Sequence, residues 1–205
     1  MTKYEASFIA SIYRSKGWAI LMKYMNYIKY TGMMLIVFTL FAAGFIHSGI
    51  YPVGADNKHD AVTFWVLDTL RKKSIARASN NIEVPPLDEP QLLLTGGADY
   101  NDMCSGCHLQ PGETESDMTI GLYPKPPNLT IAAKDHGHSH EASSNDELQS
   151  SAQQQFWVIK HGIMASGMAA FGQTHDDERI WAMVAFLQKL PDLSALQYQI
   201  LTARK

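Results

Sequence analysis

Two cysteines and a histidine lie close together in the middle of the chain. Cys104 and Cys107 are separated by two residues, and His108 follows directly. The spacing CxxCH is the attachment signature of c-type haem, in which both thiols bond to the porphyrin edge and the histidine ligates the iron. The chain has 2 cysteines in all, so no thiol is left for a disulfide partner or a four-cysteine zinc site. A haem held here also needs a second axial ligand, an apolar pocket and export to an oxidising compartment.

Candidates for the second ligand lie in a glycine-punctuated segment, residues 162–172, which contains Met164 and Met168. A thioether ligand must come from an irregular segment that is stiff enough to hold it. Methionine opposite histidine raises the potential of the iron and fills its sixth position. The chain has 10 methionines, so sequence type alone leaves the choice between these two open.

Two helices are predicted to position these residues. The first begins with Asp88 as its N-cap and runs into the cysteines, with Gly96 and Tyr100 on the same face as Cys104. A glycine inside a helix costs about 1 kcal/mol relative to alanine, so close approach of a second helix is expected at Gly96. The helix over residues 175–190, with Trp181 on its apolar face, is the predicted partner.

Between these helices lie a loop and a third helix. Residues 109–145 are rich in proline and glycine and contain His136, His138 and His140. A polar surface insertion is the favoured interpretation of this histidine cluster, and a second metal site is the alternative. The helix that follows, over residues 145–161, carries Trp157, which either lines the haem pocket or belongs to an ordinary core.

The N-terminal part of the chain has the pattern of a membrane anchor. Residues 30–55 contain no Asp, Glu, Lys or Arg, and such a run is long enough to cross the hydrocarbon core. Residues 1–29 form a basic segment, which predicts that they stay in the cytoplasm. A cleaved signal peptide is the alternative. Both interpretations export the rest of the chain, and a start at Met22 or Met25 is also open.

Residues 56–87 are predicted to form a juxtamembrane helix and a linker. A helix over residues 60–78, capped by Asp60, carries one apolar face and a basic end. Either that helix rests on the membrane or steers an acidic redox partner, or its basic end is simply solvated. Prolines over residues 85–90 place the boundary of a last domain, residues 88–205, after the linker.

Composition excludes some classes of partner. The chain has 205 residues, a formal charge of −3 and a charged fraction of 18%. A basic stretch of the kind that binds nucleic acid is missing outside the N-terminal segment, so nucleic acid is not expected as a partner.

The pattern of these motifs resembles that of a class I c-type cytochrome, over about residues 88–190. The resemblance rests on Gly96, Tyr100 and the CxxCH motif, on residues 127–129 and on residues 163–172. It implies an all-α cytochrome c fold around one covalent haem, preceded here by a transmembrane helix.

The resemblance also implies roles for individual residues. The carbonyl oxygen of Pro127 would accept a hydrogen bond from His108, and Met168 rather than Met164 would be the second axial ligand. Leu129, like Tyr100, would line the haem pocket. Ala169 stands where the family has proline, a departure that loosens the loop.

More specifically, the chain resembles the membrane-anchored monohaem cytochromes of proteobacteria. This predicts a single-pass protein of the bacterial inner membrane with its haem domain in the periplasm. It would carry single electrons in a respiratory chain, with a membrane oxidase, reductase or dehydrogenase as its redox partner, and would not itself be an enzyme. A haem peroxidase or a gas-binding sensor with a displaceable methionine is the alternative. A zinc or copper chaperone without haem leaves residues 162–172 unexplained.

Overall fold

The computed structural model describes residues 3–131 and 144–203, and describes side chains over residues 22–131 and 151–203. All regular structure in these ranges is helical, as expected. The chain divides into two compact units, residues 1–53 and 54–205. The helices, numbered in chain order, are α1 (Lys3–Ser48), α2 (Ala61–Ser79), α3 (Pro90–Met103), α4 (Ser105–His108), α5 (Asp117–Gly121), α6 (Ser144–His161), α7 (Asp177–Lys189) and α8 (Ala195–Thr202). Two short 3₁₀ turns, Phe171–Gln173 and Leu190–Asp192, flank α7.

The first unit consists of α1 and the few residues after it. Within α1, the stretch Met22–Ser48 is long and apolar enough to cross a membrane. It shares residues 30–48 with the predicted span of residues 30–55. The helix ends because Gly49 adopts a positive φ of 64°, a conformation that stops a helix, and Pro52 follows. The predicted division at residue 29 falls inside the continuous helix.

The second unit begins with α2, whose start agrees with the sequence prediction. The Asp60 carboxylate accepts hydrogen bonds from the backbone N–H groups of Val62 and Thr63, both at 3.1 Å. These bonds satisfy donors that the first helical turn leaves unpaired. In the folded unit α2 contacts α6.

The end of the predicted linker, up to residue 87, packs on the helical core. Ile82, Val84 and Leu87 lie against the cluster formed by α6 and α7. The side-chain amide of Gln153 donates a hydrogen bond of 2.7 Å to the carbonyl oxygen of Ile82. The compact unit therefore extends upstream of residue 88, because these apolar side chains are buried by the core rather than left in solvent.

Helices α3 and α7 cross at the closest approach in the unit. A Cβ atom placed on Gly96 would lie 1.9 Å from the carbonyl oxygen of Ala182, and one on Gly97 would lie 2.8 Å from that of Leu201. The prediction that Gly96 marks a helix contact, with the helix around Trp181 as its partner, is confirmed. The start of α3 differs from the prediction: its N-cap is Glu89, without a side-chain bond, and not Asp88. Pro90, which has no N–H to satisfy, takes the first helical position.

A buried ion pair joins the same two helices. The Arg179 guanidinium donates two hydrogen bonds to the Asp99 carboxylate, at 2.6 and 2.7 Å. Asp99 is buried, whereas Arg179 keeps one side in solvent. Two parallel bonds of this kind fix the relative orientation of the helices as well as their distance.

The core of the unit consists of two apolar clusters, one on each side of the crossing. The first joins α6 to α7 and contains Ala152, Phe156, Ile159, Ile180, Met183 and Val184. The second joins α3, α7 and α8 and contains Tyr100, Phe186, Leu190 and Tyr198. Trp181 lies at the edge of the first cluster, where its ring stacks on that of Phe156 at 4.2 Å between centroids.

Replacing Gly96 by alanine tests the crossing. Because the new methyl group would meet a backbone oxygen rather than a flexible side chain, we expect the haem-loaded protein to lose about 3 kcal/mol of its free energy of unfolding. Denaturant titration measures this loss. The matched control is Gly121→Ala, since a Cβ atom at Gly121 meets nothing within 4 Å. Equal stability of the two variants would contradict the proposed contact.

Candidate functional site

The CxxCH motif folds as a single helical turn at the end of α3. The backbone N–H groups of Cys107 and His108 both donate to the carbonyl oxygen of Cys104, at 3.1 and 2.8 Å. This turn places both thiols and the imidazole on one short rigid segment, as attachment at two points of a porphyrin edge requires. Burial raises the pKa of the free Cys104 thiol to about 12.

Tyr100 fixes the end of that turn. Its buried hydroxyl donates to the carbonyl oxygen of Leu109 at 2.7 Å and to that of His108 at 3.2 Å. Leu109 has a positive φ of 72°, which is strained for a residue with a side chain. Burial raises the pKa of the Tyr100 phenol, so the hydroxyl keeps its proton and remains a donor. Tyr100 was predicted as a pocket residue. In the structure it is buried in the core and contacts the haem-attachment turn through its hydroxyl.

His108 is oriented by the chain at residues 127–129. Its Nδ1 atom lies 2.8 Å from the carbonyl oxygen of Pro127, and the N–H of Leu129 donates back to the carbonyl oxygen of His108 at 3.3 Å. A carbonyl oxygen only accepts hydrogen bonds, so Nδ1 carries the proton. The contact that the family resemblance implied between Pro127 and His108 is present.

The electrostatics of His108 favour a metal ligand. Burial lowers the pKa of the imidazole, and the bond to Pro127 opposes this only in part. The ring is therefore neutral near pH 7. With the proton on Nδ1, the lone pair of Nε2 is available for a metal ion, and the carbonyl oxygen of Pro127 sets the direction of that lone pair.

One wall of the site is apolar and continuous with the core. Leu129 and Cys104 both pack at the edge of the cluster around Tyr100 and Phe186. The haem-attachment turn is thus anchored in the α3–α8 side of the unit rather than at its surface.

The segment after α6 forms a closed loop that ends in a 3₁₀ turn. The N–H of Ile163 donates to the carbonyl oxygen of Met168 at 3.1 Å, and the N–H of Met168 donates to the hydroxyl of Ser166, also at 3.1 Å. Gly162 has a positive φ of 66°, and a Cβ atom there would lie 2.7 Å from the carbonyl oxygen of Met168. Short-range hydrogen bonds therefore hold both the N–H and the carbonyl oxygen of Met168 against the preceding part of the loop.

The two methionines of this loop have different environments. Met164 is 96% exposed, whereas Met168 is half-buried and packs against the α6–α7 cluster. A thioether that ligates iron must reach inward, so the geometry favours Met168 over Met164. This choice agrees with the one that the family resemblance implied.

The described contacts leave two further sequence candidates as predictions. Trp157, predicted as a pocket wall, is half-buried, and its ring lies 5.0 Å from that of His161; it belongs to neither apolar cluster described above. The side chains of His136, His138 and His140 lie outside the described residues.

The sequence analysis missed the groups that hold the α3 end of the site. Asp99 and Arg179 are 80 residues apart, and pattern analysis offers no signal that pairs them. Tyr198 donates a hydrogen bond of 3.0 Å to the side chain of Asn101, and Asn101 in turn accepts one from Ser105 at its backbone carbonyl, at 2.7 Å. Asp99 and Asn101 are polar residues on the inner face of α3, which is otherwise apolar. This pattern could have predicted that each has a polar partner elsewhere in the chain.

The residues of the site fit a covalently attached haem. Cys104 and Cys107 would supply the two thiols from one turn, and a neutral His108 with a directed Nε2 would supply a nitrogen ligand. Met168 would supply a sulfur ligand from a loop that is closed by hydrogen bonds. Histidine and methionine together are the ligand pair of electron-transfer haems.

Comparison with known proteins agrees with this fit. Residues 91–187 match the family described as cytochrome C oxidase, cbb3-type, subunit III. Comparisons with curated proteins and with solved structures found no match for the chain.

Replacing Tyr100 by phenylalanine tests its part in the site. The change removes the hydroxyl donor from the carbonyl oxygen of Leu109 and leaves that of His108 with the N–H of Leu129 as its donor. We therefore expect the free energy of unfolding to fall by about 1–2 kcal/mol. Denaturant titration of the haem-loaded protein measures it. Tyr198→Phe is the matched comparison, because it removes a hydroxyl from the same cluster without touching His108 or Leu109. A Tyr100→Phe protein as stable as the wild type would show that the hydroxyl does not hold the turn.

Proposed function

Because residues 91–187 are a c-type cytochrome domain, we propose that this chain is a membrane-anchored carrier of single electrons with one haem. The observation that carries the proposal is the contrast between the two loop methionines, with Met168 packed inward and Met164 in solvent. A methionine ligand opposite His108 closes the coordination sphere, and a closed sphere favours electron transfer over chemistry on a bound substrate.

The haem, when bound, supplies the one-electron redox change. The chain supplies attachment, orientation and tuning. Cys104 and Cys107 hold the group covalently, and the carbonyl oxygen of Pro127 holds His108 in the tautomer that ligates iron. The hydrogen bonds at the N–H and the carbonyl oxygen of Met168 hold its backbone, which would limit reorganisation during the redox change.

A respiratory chain is the setting that we propose. The description of the matched family names an oxidase subunit, which makes a membrane oxidase the favoured partner among oxidases, reductases and dehydrogenases. The stretch Met22–Ser48 would anchor the chain in the bacterial inner membrane. The basic residues before it, Lys3, Arg14 and Lys16, favour a cytoplasmic N-terminus and a periplasmic haem domain.

The ligand assignment is tested by two methionine variants. We expect Met168→Ala to lose the weak far-red absorption band of ferric haem with a methionine ligand and to lower the midpoint potential, because a thioether stabilises the reduced iron. Met164→Ala should keep both, since its side chain is exposed. A band that survives in Met168→Ala would refute the assignment. A wild-type protein that lacks the band and turns over peroxide would instead support the peroxidase alternative.

The topology is tested by labelling intact cells. Met164→Cys places a thiol at an exposed site, and we expect a membrane-impermeant maleimide to label it in spheroplasts. Thr2→Cys, in the basic N-terminal segment, should be labelled only after lysis. Alkaline carbonate extraction and the mass of the haem-stained band then separate an anchor from a cleaved signal peptide. Release of a shortened protein into the soluble fraction would contradict the anchor.

A further inference from the structure

The first half of α2 exposes an unusual amount of apolar surface. Six large side chains over its first ten residues are 40–70% exposed: Val62, Phe64, Trp65, Val66, Leu67 and Leu70. Clusters of this kind are rare on monomeric soluble proteins and mark surfaces that meet another apolar phase.

The polarity of α2 changes along its axis rather than across it. Residues 61–67 contain no charged side chain, whereas residues 68–77 contain four basic residues and one acid. Asp68, the acid, pairs with Arg71 at 2.6 Å and with Lys72 at 2.8 Å, which leaves the second half of the helix positive. At 100° per residue the exposed apolar side chains point in several directions, so one flat partner surface would not cover them.

A shallow groove runs between the two halves. It is lined by Trp65, Val66, Thr69 and Leu70, with Lys73 at its basic end. An apolar floor beside an ammonium group matches a lipid, which presents acyl chain and phosphate at adjacent depths. Tryptophan is also the side chain that is most typical of the membrane–water interface.

The position of α2 in the chain, shortly after the candidate membrane span, points to the membrane as the apolar partner of its exposed side chains. Only residues 49–60 separate the end of the candidate span at Ser48 from the first residue of α2. Twelve residues extend to at most about 45 Å, so a membrane that holds α1 also keeps the start of α2 near its surface. The linking residues include Ile50 and Val53, which are themselves exposed apolar side chains.

We propose that the N-terminal half of α2 inserts into the interfacial layer of the membrane that holds α1, with its basic half on anionic lipid phosphates. This proposal rests on the anchoring proposed above and adds a second, independent contact with the bilayer. The basic residues follow the apolar ones directly, as expected where a helix passes from the acyl boundary to the headgroups.

A second copy of the chain is a poorer occupant of this surface. Parallel helices would place two basic halves against each other, and antiparallel helices would place each basic half on the partner's apolar half. Anionic lipid suits both halves of α2. Its acyl chains bury the apolar half, and its phosphates attract the basic half.

The test places an environment-sensitive label on α2 of the full haem-loaded chain. Leu70→Cys is labelled with a nitrobenzoxadiazole maleimide and reconstituted into vesicles of phosphatidylcholine and phosphatidylglycerol. The control is Leu196→Cys, because the two leucines have the same size and are 65% and 67% exposed. We expect blue-shifted emission at position 70 that a spin-labelled lipid quenches at least about twofold more strongly than at position 196.

The outcomes distinguish the two proposals. Resistance to carbonate extraction together with equal, weak quenching at both positions would overturn the insertion of α2 while leaving the anchor intact. Release of the chain by carbonate would instead refute the anchor. A second copy of the chain would give a different result at position 70. The blue shift would persist in vesicles, would resist lipid quenching and would grow with the protein-to-lipid ratio. Reduced quenching of the label at position 70 after Lys72→Gln and Lys73→Gln would support the role of anionic lipid.

Discussion

The rest of the second unit, residues 54–205, depends on one contact. This contact is the close approach of the α3 and α7 backbones at Gly96. Any side chain there would collide with the carbonyl oxygen of Ala182, so the two helices meet at a distance that only glycine permits. The Asp99–Arg179 pair lies close to this point and adds direction to the contact. Because α3 leads directly into the cysteines, the crossing determines where the haem-attachment turn begins.

Hydrogen bonds, in addition to apolar packing, connect that crossing to the site. Tyr100 lies one helical turn after Gly96, and its hydroxyl holds the carbonyl oxygens that end the CxxCH turn. His108 is then held by Pro127 from the opposite side. The imidazole is therefore fixed by contacts with a separate part of the chain, residues 127–129. Such preorganisation is what a carrier requires, since a rigid ligand set keeps the reorganisation energy small.

The sequence predicted the parts of this arrangement that follow local rules. The CxxCH spacing, the glycine that marks a close approach and the Asp60 cap all depend on residues near each other in the chain, and each is found where it was expected. The Asp99–Arg179 pair and the packing of Ile82, Val84 and Leu87 on the core depend on contacts between distant segments. No periodicity encodes such contacts. Likewise, hydropathy identifies an apolar run, but the positive φ of Gly49 determines where the helix that contains it stops.

Composition, family resemblance and structure each narrow the choice of the methionine ligand. Composition offered ten candidates, and loop character reduced them to Met164 and Met168. Family resemblance then favoured the second, but by analogy and not by mechanism. The structure adds the mechanism: Ile163 bonds to the carbonyl oxygen of Met168 and Gly162 permits the close turn beneath it, so the loop carries this side chain onto the core. Met164 lies at the outer bend, next to Ala165 with its positive φ of 57°. The same bend that brings one sulfur toward the core therefore turns the other into solvent.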